Sequence, residues 1–119
     1  MEKVTGIGGV FYRAKDPDAL RAWYATHLGV EGMPWTQESG YTVFQPFDHA
    51  TDYFPADKQW MINFRVNNLD AMTVQLESAG IDVKTDPSWD TPEIGRFARI
   101  HDPEGNPIEL WEPAAPPPA

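Results

Sequence analysis

The sequence predicts an α+β fold of two tandem βαβββ modules, each burying one helix against one curved sheet. Three observations predict it. The 119 residues are enough for one hydrophobic core but not for two independent ones. The chain also matches itself weakly at an offset of 52 residues, setting Val10-Phe11-Tyr12-Arg13 over Ile62-Asn63-Phe64-Arg65 and Asp18-Ala19-Leu20 over Asp70-Ala71-Met72. One residue of slippage then brings His27-Leu28-Gly29-Val30 onto Ser78-Ala79-Gly80-Ile81. Finally, both halves run in the same order: strand, acidic or amide cap, helix, glycine, strand.

The elements follow in chain order. Gly6 to Arg13 is rich in β-branched and aromatic residues and reads as a strand. Asp16 is a good N-cap and Pro17 suits the first helical position, where a missing N–H costs nothing. Leu20, Trp23, Tyr24, His27 and Leu28 then share one helical face, and Gly29 terminates it. Tyr41 to Phe47 reads as a strand after the Glu38-Ser39-Gly40 turn. Asp48 to Gln59 has no periodicity and reads as a loop. Trp60 to Val66 is the strand that opens the second half. Asn68 caps a helix through Leu69, Met72, Thr73 and Leu76 that ends at Gly80. Asp82 to Thr85 reads as a short strand. Gly95 to His101 and Pro107 to Glu112 flank the turn Asp102-Pro103-Glu104-Gly105-Asn106 as a hairpin. The domain spans 1–113, with module one at about 4–55 and module two at about 60–113, and residues 114–119 form a disordered Pro/Ala tail.

Composition narrows the function. Nine Lys and Arg against 18 Asp and Glu give a formal charge of -9, which repels nucleic acid and anionic membrane surfaces alike. The absence of cysteine excludes disulfides, a thiol nucleophile and thiolate metal ligation. No signal-peptide pattern or membrane-length apolar run is present, so a cytoplasmic location is expected. Gly6-Ile7-Gly8-Gly9 precedes a strand, not a helix, and is no phosphate loop.

The duplicated module, Lys15-Asp16-Pro17, Trp23-Tyr24 before Leu28-Gly29, and above all Asp102-Pro103-Glu104-Gly105-Asn106-Pro107-Ile108-Glu109-Leu110 resemble the vicinal oxygen chelate superfamily. That group includes glyoxalase I, bleomycin-resistance proteins, fosfomycin-resistance enzymes and extradiol dioxygenases. The resemblance covers residues 4–113. It implies cupped sheets around a cavity, completion of the site in a homodimer, and a divalent metal (Zn, Ni, Mn or Fe) in the active members.

On that resemblance Glu109 falls on the glutamate that closes the family's metal site. The ligand position seven residues before the capping aspartate is Gly9, which has no side chain, and its repeat mate is Met61, a soft thioether. One carboxylate cannot hold a catalytic metal, so none is expected, and Glu109 is the single ligand if one binds. Of the three histidines, His27 reads as a core or capping residue and His49 as a solvated loop residue. Strand alternation and the resembling enzymes place Phe97, Arg99 and His101 on the cavity side with Glu109. The same parity adds Phe11, Arg13, Asn63, Arg65 and Trp111. Glu109 and His101 are therefore the candidate catalytic pair for proton transfer. An arginine among Arg13, Arg65 and Arg99 either neutralises Glu109 or clamps an anionic or carbonyl ligand, and Asn63 would orient a carbonyl oxygen. Trp35, Trp60, Trp89 and Tyr53-Phe54 suit a cavity mouth, a subunit interface or the core.

Two functions follow. One is a binding protein that holds a small carbonyl or partly aromatic molecule without a metal. The other is a metal-dependent lyase, isomerase or dioxygenase of the glyoxalase type that uses Glu109. In either case the partners are a small molecule and a second copy of the chain.

Overall fold

Two helices form where capping and spacing predict them. Asp16 accepts a hydrogen bond from the Ala19 amide at 3.1 Å, Pro17 fills the first turn, and α1 runs Pro17–Leu28. Gly29 ends it in the left-handed region, φ 71°, and donates its N–H to the Ala25 carbonyl. In the second half Asn68 accepts from the Ala71 amide at 2.9 Å, and α2 runs Leu69–Ser78. Cap, acceptor and helix start thus recur 52 residues apart, so the duplication is physical at the level of the helices. The structure, a computed structural model, describes residues 1–114.

The sheet has three strands: β1 (Ile62–Arg65), β2 (Gly95–His101) and β3 (Pro107–Pro113). Their order is β1-β3-β2, with β1 parallel and β2 antiparallel to the central β3, so the sheet is mixed and the class is α+β. Alternation sends Ala98, Ile100, Ile108 and Leu110 to one face, where they join Leu20 and Tyr24 of α1 and Leu69 and Leu76 of α2 in the buried core. Full burial of each Leu or Ile there contributes about 1.5–3 kcal/mol. Glu112 accepts from the Leu69 amide at 2.8 Å, tying the start of α2 to β3.

The β2–β3 turn is organised by one carboxylate. Asp102 accepts from the Glu104 and Asn106 amides and from the Asn106 side chain, while Gly105 takes φ 83°. The Tyr24 hydroxyl donates to the same carboxylate at 2.7 Å, and Glu104 accepts from the Lys15 and Asp16 amides, so the turn grips α1 at two points.

The first-half strands depart from expectation. Residues 6–13 and 41–47 form no strand, and Asp82 to Thr85 reduces to a single bridge in which Lys84 and Arg99 exchange backbone hydrogen bonds. The tandem βαβββ arrangement is therefore visible in the helices but not in the strands, and among the described residues the second half alone supplies the sheet. The physical reason is pairing: a strand needs a neighbour, and these two segments have none among the described residues. Their apolar side chains, among them Val10, Phe11, Val43 and Phe44, stand in solvent. Ala114, expected in the tail, donates its amide to the Ile94 carbonyl, and the rest of that tail lies outside the described residues.

Candidate functional site

The face of the sheet opposite the core carries the polar residues. Register sets Asn63, Glu109 and Arg99 side by side across β1, β3 and β2, and Arg65, Trp111 and Phe97 form the next row. His101 follows beside Pro107. Seven of the nine site residues expected from parity thus share one surface. Phe97 and Trp111 stack almost parallel at 6.3 Å, and the indole N–H donates to the Ile94 carbonyl at 2.9 Å.

Glu109 is the centre of this surface and only 9% exposed. Asn63 donates its amide to one carboxylate oxygen at 2.7 Å, and the Tyr53 hydroxyl donates to the other. Arg99, 8% exposed, gives one terminal N–H to the Tyr53 carbonyl at 2.7 Å and holds its guanidinium 4.9 Å from the centre of the Tyr53 ring. Its Nε is buried without a partner among the described residues. Trp89 meets the same ring edge-on, and Phe47 packs against it.

These placements correct three expectations. In the single chain Phe11 and Arg13 stand away from this surface, because residues 6–13 form no strand there. Phe11 is 92% exposed, and Arg13 lines a separate hollow with Lys15, Lys58, Glu104 and Asn106. Among the described residues no arginine lies within ion-pair distance of Glu109. Arg65 instead donates to the carbonyls of Tyr41 and Glu38, pinning the 38–41 turn, where a Cβ on Gly40 would strike its guanidinium. Asn63, expected to orient a ligand carbonyl, is committed to Glu109.

Tyr53 is the residue that strand parity could not supply. It lies in the aperiodic 48–59 loop, and alternation assigns no direction to a loop side chain. The only sequence signal was an aromatic pair, Tyr53-Phe54, in a stretch otherwise lacking pattern. Between this loop and β2 lies an open hollow of about 530 Å³ lined by residues 50–56, Arg99 and His101.

Electrostatics fix the protonation of two groups. Burial, and then the hydrogen bond to the Glu109 carboxylate, raise the Tyr53 phenol well above its ordinary value, although Arg99 opposes this. Tyr53 is therefore a donor at neutral pH. Burial, followed by the charges of Arg99 and Lys84, pushes His101 below the usual imidazole range against the pull of Asp102, so its ring is neutral at pH 7.

The residues present do not fit a catalytic metal. Gly9 lies in the unpaired first segment, Met61 offers only a thioether, and both oxygens of Glu109 already accept from neutral donors. No cluster of three His, Asp or Glu able to hold an ion occurs among the described residues. A buried guanidinium across the strand register from Glu109 further disfavours a second positive charge there.

The fold has counterparts. A family model for the glyoxalase-like domain matches residues 9–111. TnmS3, an antibiotic binding protein from Streptomyces sp. CB03234, superposes with a TM-score of 0.60 at 20% identity, over 95% of this chain and 99% of that one. A protein assigned to the glyoxalase family from Bacillus anthracis superposes with a TM-score of 0.54 at 25% identity, over 81% of this chain and 83% of the other. The anthracycline biosynthesis protein DauV of Streptomyces sp. (strain C5) is 33% identical over 67 residues, which is 56% of this chain. The match spans only 24% of DauV's own length.

Proposed function

The chain belongs to the glyoxalase-like domain family, and from that premise we propose that it binds a small, partly aromatic or carbonyl-bearing molecule without a metal. The site is the sheet face around Glu109. One observation carries the reading: both Glu109 oxygens accept from neutral donors, Tyr53 and Asn63, while a buried arginine stands beside them. A divalent ion needs several anionic or imidazole ligands converging on it, whereas an organic ligand needs an apolar wall with a few fixed polar groups. Phe97, Trp111 and Trp89 supply such a wall. The antibiotic binding of the structural relative TnmS3 agrees with this reading.

The finer architecture belongs to the same proposal. Two βαβββ modules form when a second copy of the chain gives the 6–13 and 41–47 segments their missing neighbours, so the working protein is a homodimer. A cytoplasmic location is proposed with it; no helix among the described residues is long and apolar enough to cross a membrane.

The rival is a metal-dependent lyase or isomerase using Glu109. Protein purified without added ions is assayed for bound metal, titrated with Ni and Zn, and given the hemithioacetal of methylglyoxal and glutathione. We expect substoichiometric metal and no turnover above background. Stoichiometric metal, with turnover that disappears in Glu109→Gln, would overturn the binding reading.

A further inference from the structure

We propose that Tyr53 is a built-in stand-in for the ligand: the site takes a planar aromatic bearing a phenolic hydroxyl, which enters by displacing the Tyr53 side chain. This rests on the small-molecule binding reading above and narrows it to one chemical class.

The contacts that Tyr53 makes are those of a bound phenol. Its hydroxyl donates to Glu109, its ring lies beneath the Arg99 guanidinium, its edge meets Trp89 at 5.9 Å and Phe47 packs at 5.7 Å. None of these four depends on the residue's own backbone, so a free phenol can reproduce all of them. The site is also not fully used by Tyr53. The Nε of Arg99 remains buried beside the ring and unpaired among the described residues, a costly state that a further acceptor oxygen on a larger ligand would relieve.

The loop is built to move as a unit. Its own shape is kept by short-range bonds: Thr51 amide to Asp48 carbonyl, Ala50 amide to the Asp48 side chain, Tyr53 amide to the Thr51 hydroxyl, and Lys58 amide to Pro55 carbonyl. The hydrogen bonds that tie residues 48–59 to the sheet, among those described, both converge on Tyr53: Arg99 to its carbonyl and its hydroxyl to Glu109. Breaking them releases the segment without unravelling it. A ligand must therefore compete with an intramolecular occupant, and its apparent affinity is reduced by the fraction of molecules in which the seat is filled.

The test uses 2-naphthol and 2-methoxynaphthalene, which share a ring system but differ in the donated proton. Calorimetric titration covers the full chain as wild type, Tyr53→Ala, Tyr53→Phe and Tyr53→Ala with Glu109→Gln. Circular dichroism establishes that each variant is folded. Vacating the seat in Tyr53→Ala should tighten 2-naphthol by about tenfold or more, and 2-methoxynaphthalene by clearly less. Tyr53→Phe, which loses only the hydroxyl, should give a smaller gain. In the double variant the preference for the phenol should be clearly reduced, because a neutral amide oxygen replaces the carboxylate acceptor. Hydrogen exchange of wild type should show residues 50–56 losing protection when 2-naphthol is added. Equal affinity of 2-naphthol for wild type and Tyr53→Ala, with unchanged exchange in the loop, would overturn the stand-in while leaving small-molecule binding intact. Failure of both naphthalenes to bind any variant would overturn both readings.

Discussion

Glu109 and Arg99 face each other in the β2–β3 register, yet the guanidinium bonds to the Tyr53 carbonyl and leaves the carboxylate to neutral donors. A buried ion pair broken on one side costs about 3–5 kcal/mol. An acceptor replaced by another acceptor costs far less, about 1 kcal/mol. Glu109→Gln keeps an oxygen for one of the two donors, so urea unfolding should show a loss of about 1–2 kcal/mol, below the range for a broken pair. A loss in the ion-pair range would mean that Glu109 and Arg99 stabilise each other directly.

Tyr24 and Asp102 should matter more to stability than any residue of the site. The Tyr24 hydroxyl reaches across from α1 to the carboxylate that organises the hairpin turn, and both residues are buried. Tyr24→Phe removes one donor to a buried charge and should cost about 1.5–3 kcal/mol. Asp102→Asn should cost at least as much, because the new amide presents a donor where the carboxylate oxygens accept four bonds. Denaturant midpoints with unchanged m-values would measure both.

The helix caps test the duplication. Asp16 and Asn68 occupy equivalent positions and each accepts from the amide three residues on. Asp16→Ala and Asn68→Ala should each lower stability by about 1 kcal/mol. The two losses should add in the double variant within about 0.5 kcal/mol, since the caps share no partner. A strongly non-additive result would mean that the two helix starts are coupled through the sheet.

These caps also mark how far the sequence is legible. Helices are written locally: cap, proline, spacing and glycine lie within a dozen residues, and both α1 and α2 appear where they are predicted. The hairpin around Asp102 is equally local, and strand alternation correctly groups Glu109, Arg99, Asn63 and Trp111. Alternation fails for Phe11 and Arg13 because it presumes a paired strand, and pairing is a tertiary event that the segment cannot specify by itself. Tyr53 escapes for a different reason. A loop side chain has no period, so only the tertiary path of 48–59 brings its hydroxyl to Glu109.

His101 gives a pH signature whose sign follows from its surroundings. Burial and the charges of Arg99 and Lys84 depress its pKa, so below about pH 6.5 the unfolded chain binds a proton that the folded chain resists. Stability should therefore fall as pH drops below that point, until the folded-state ring also protonates. Carboxylates contribute at lower pH, so the useful quantity is the difference between wild type and His101→Gln in thermal midpoint from pH 7.5 to 5. Wild type should lose more over that interval. Parallel curves would show that the positive neighbours of His101 are screened by solvent.

The exposed apolar segments predict assembly. Phe11 is 92% exposed and Phe44 76%, and both lie in stretches patterned as strands without a neighbour among the described residues. Isolated apolar side chains are common on surfaces, but two whole strand-like segments left bare are a site for pairing with another chain. A second copy is the occupant whose own matching segments are bare in the same way, and a two-fold arrangement satisfies both copies at once. Light scattering after size exclusion should give twice the 13.4 kDa chain mass at micromolar concentration. Phe11→Asp and Phe44→Asp each place a charge where the partner would pack and should shift the species toward monomer. Circular dichroism should then show loss of strand signal on dissociation, because the 6–13 and 41–47 segments are strands only when paired. A wild-type monomer with unchanged strand content in both variants would refute the assembly and, with it, the paired first module.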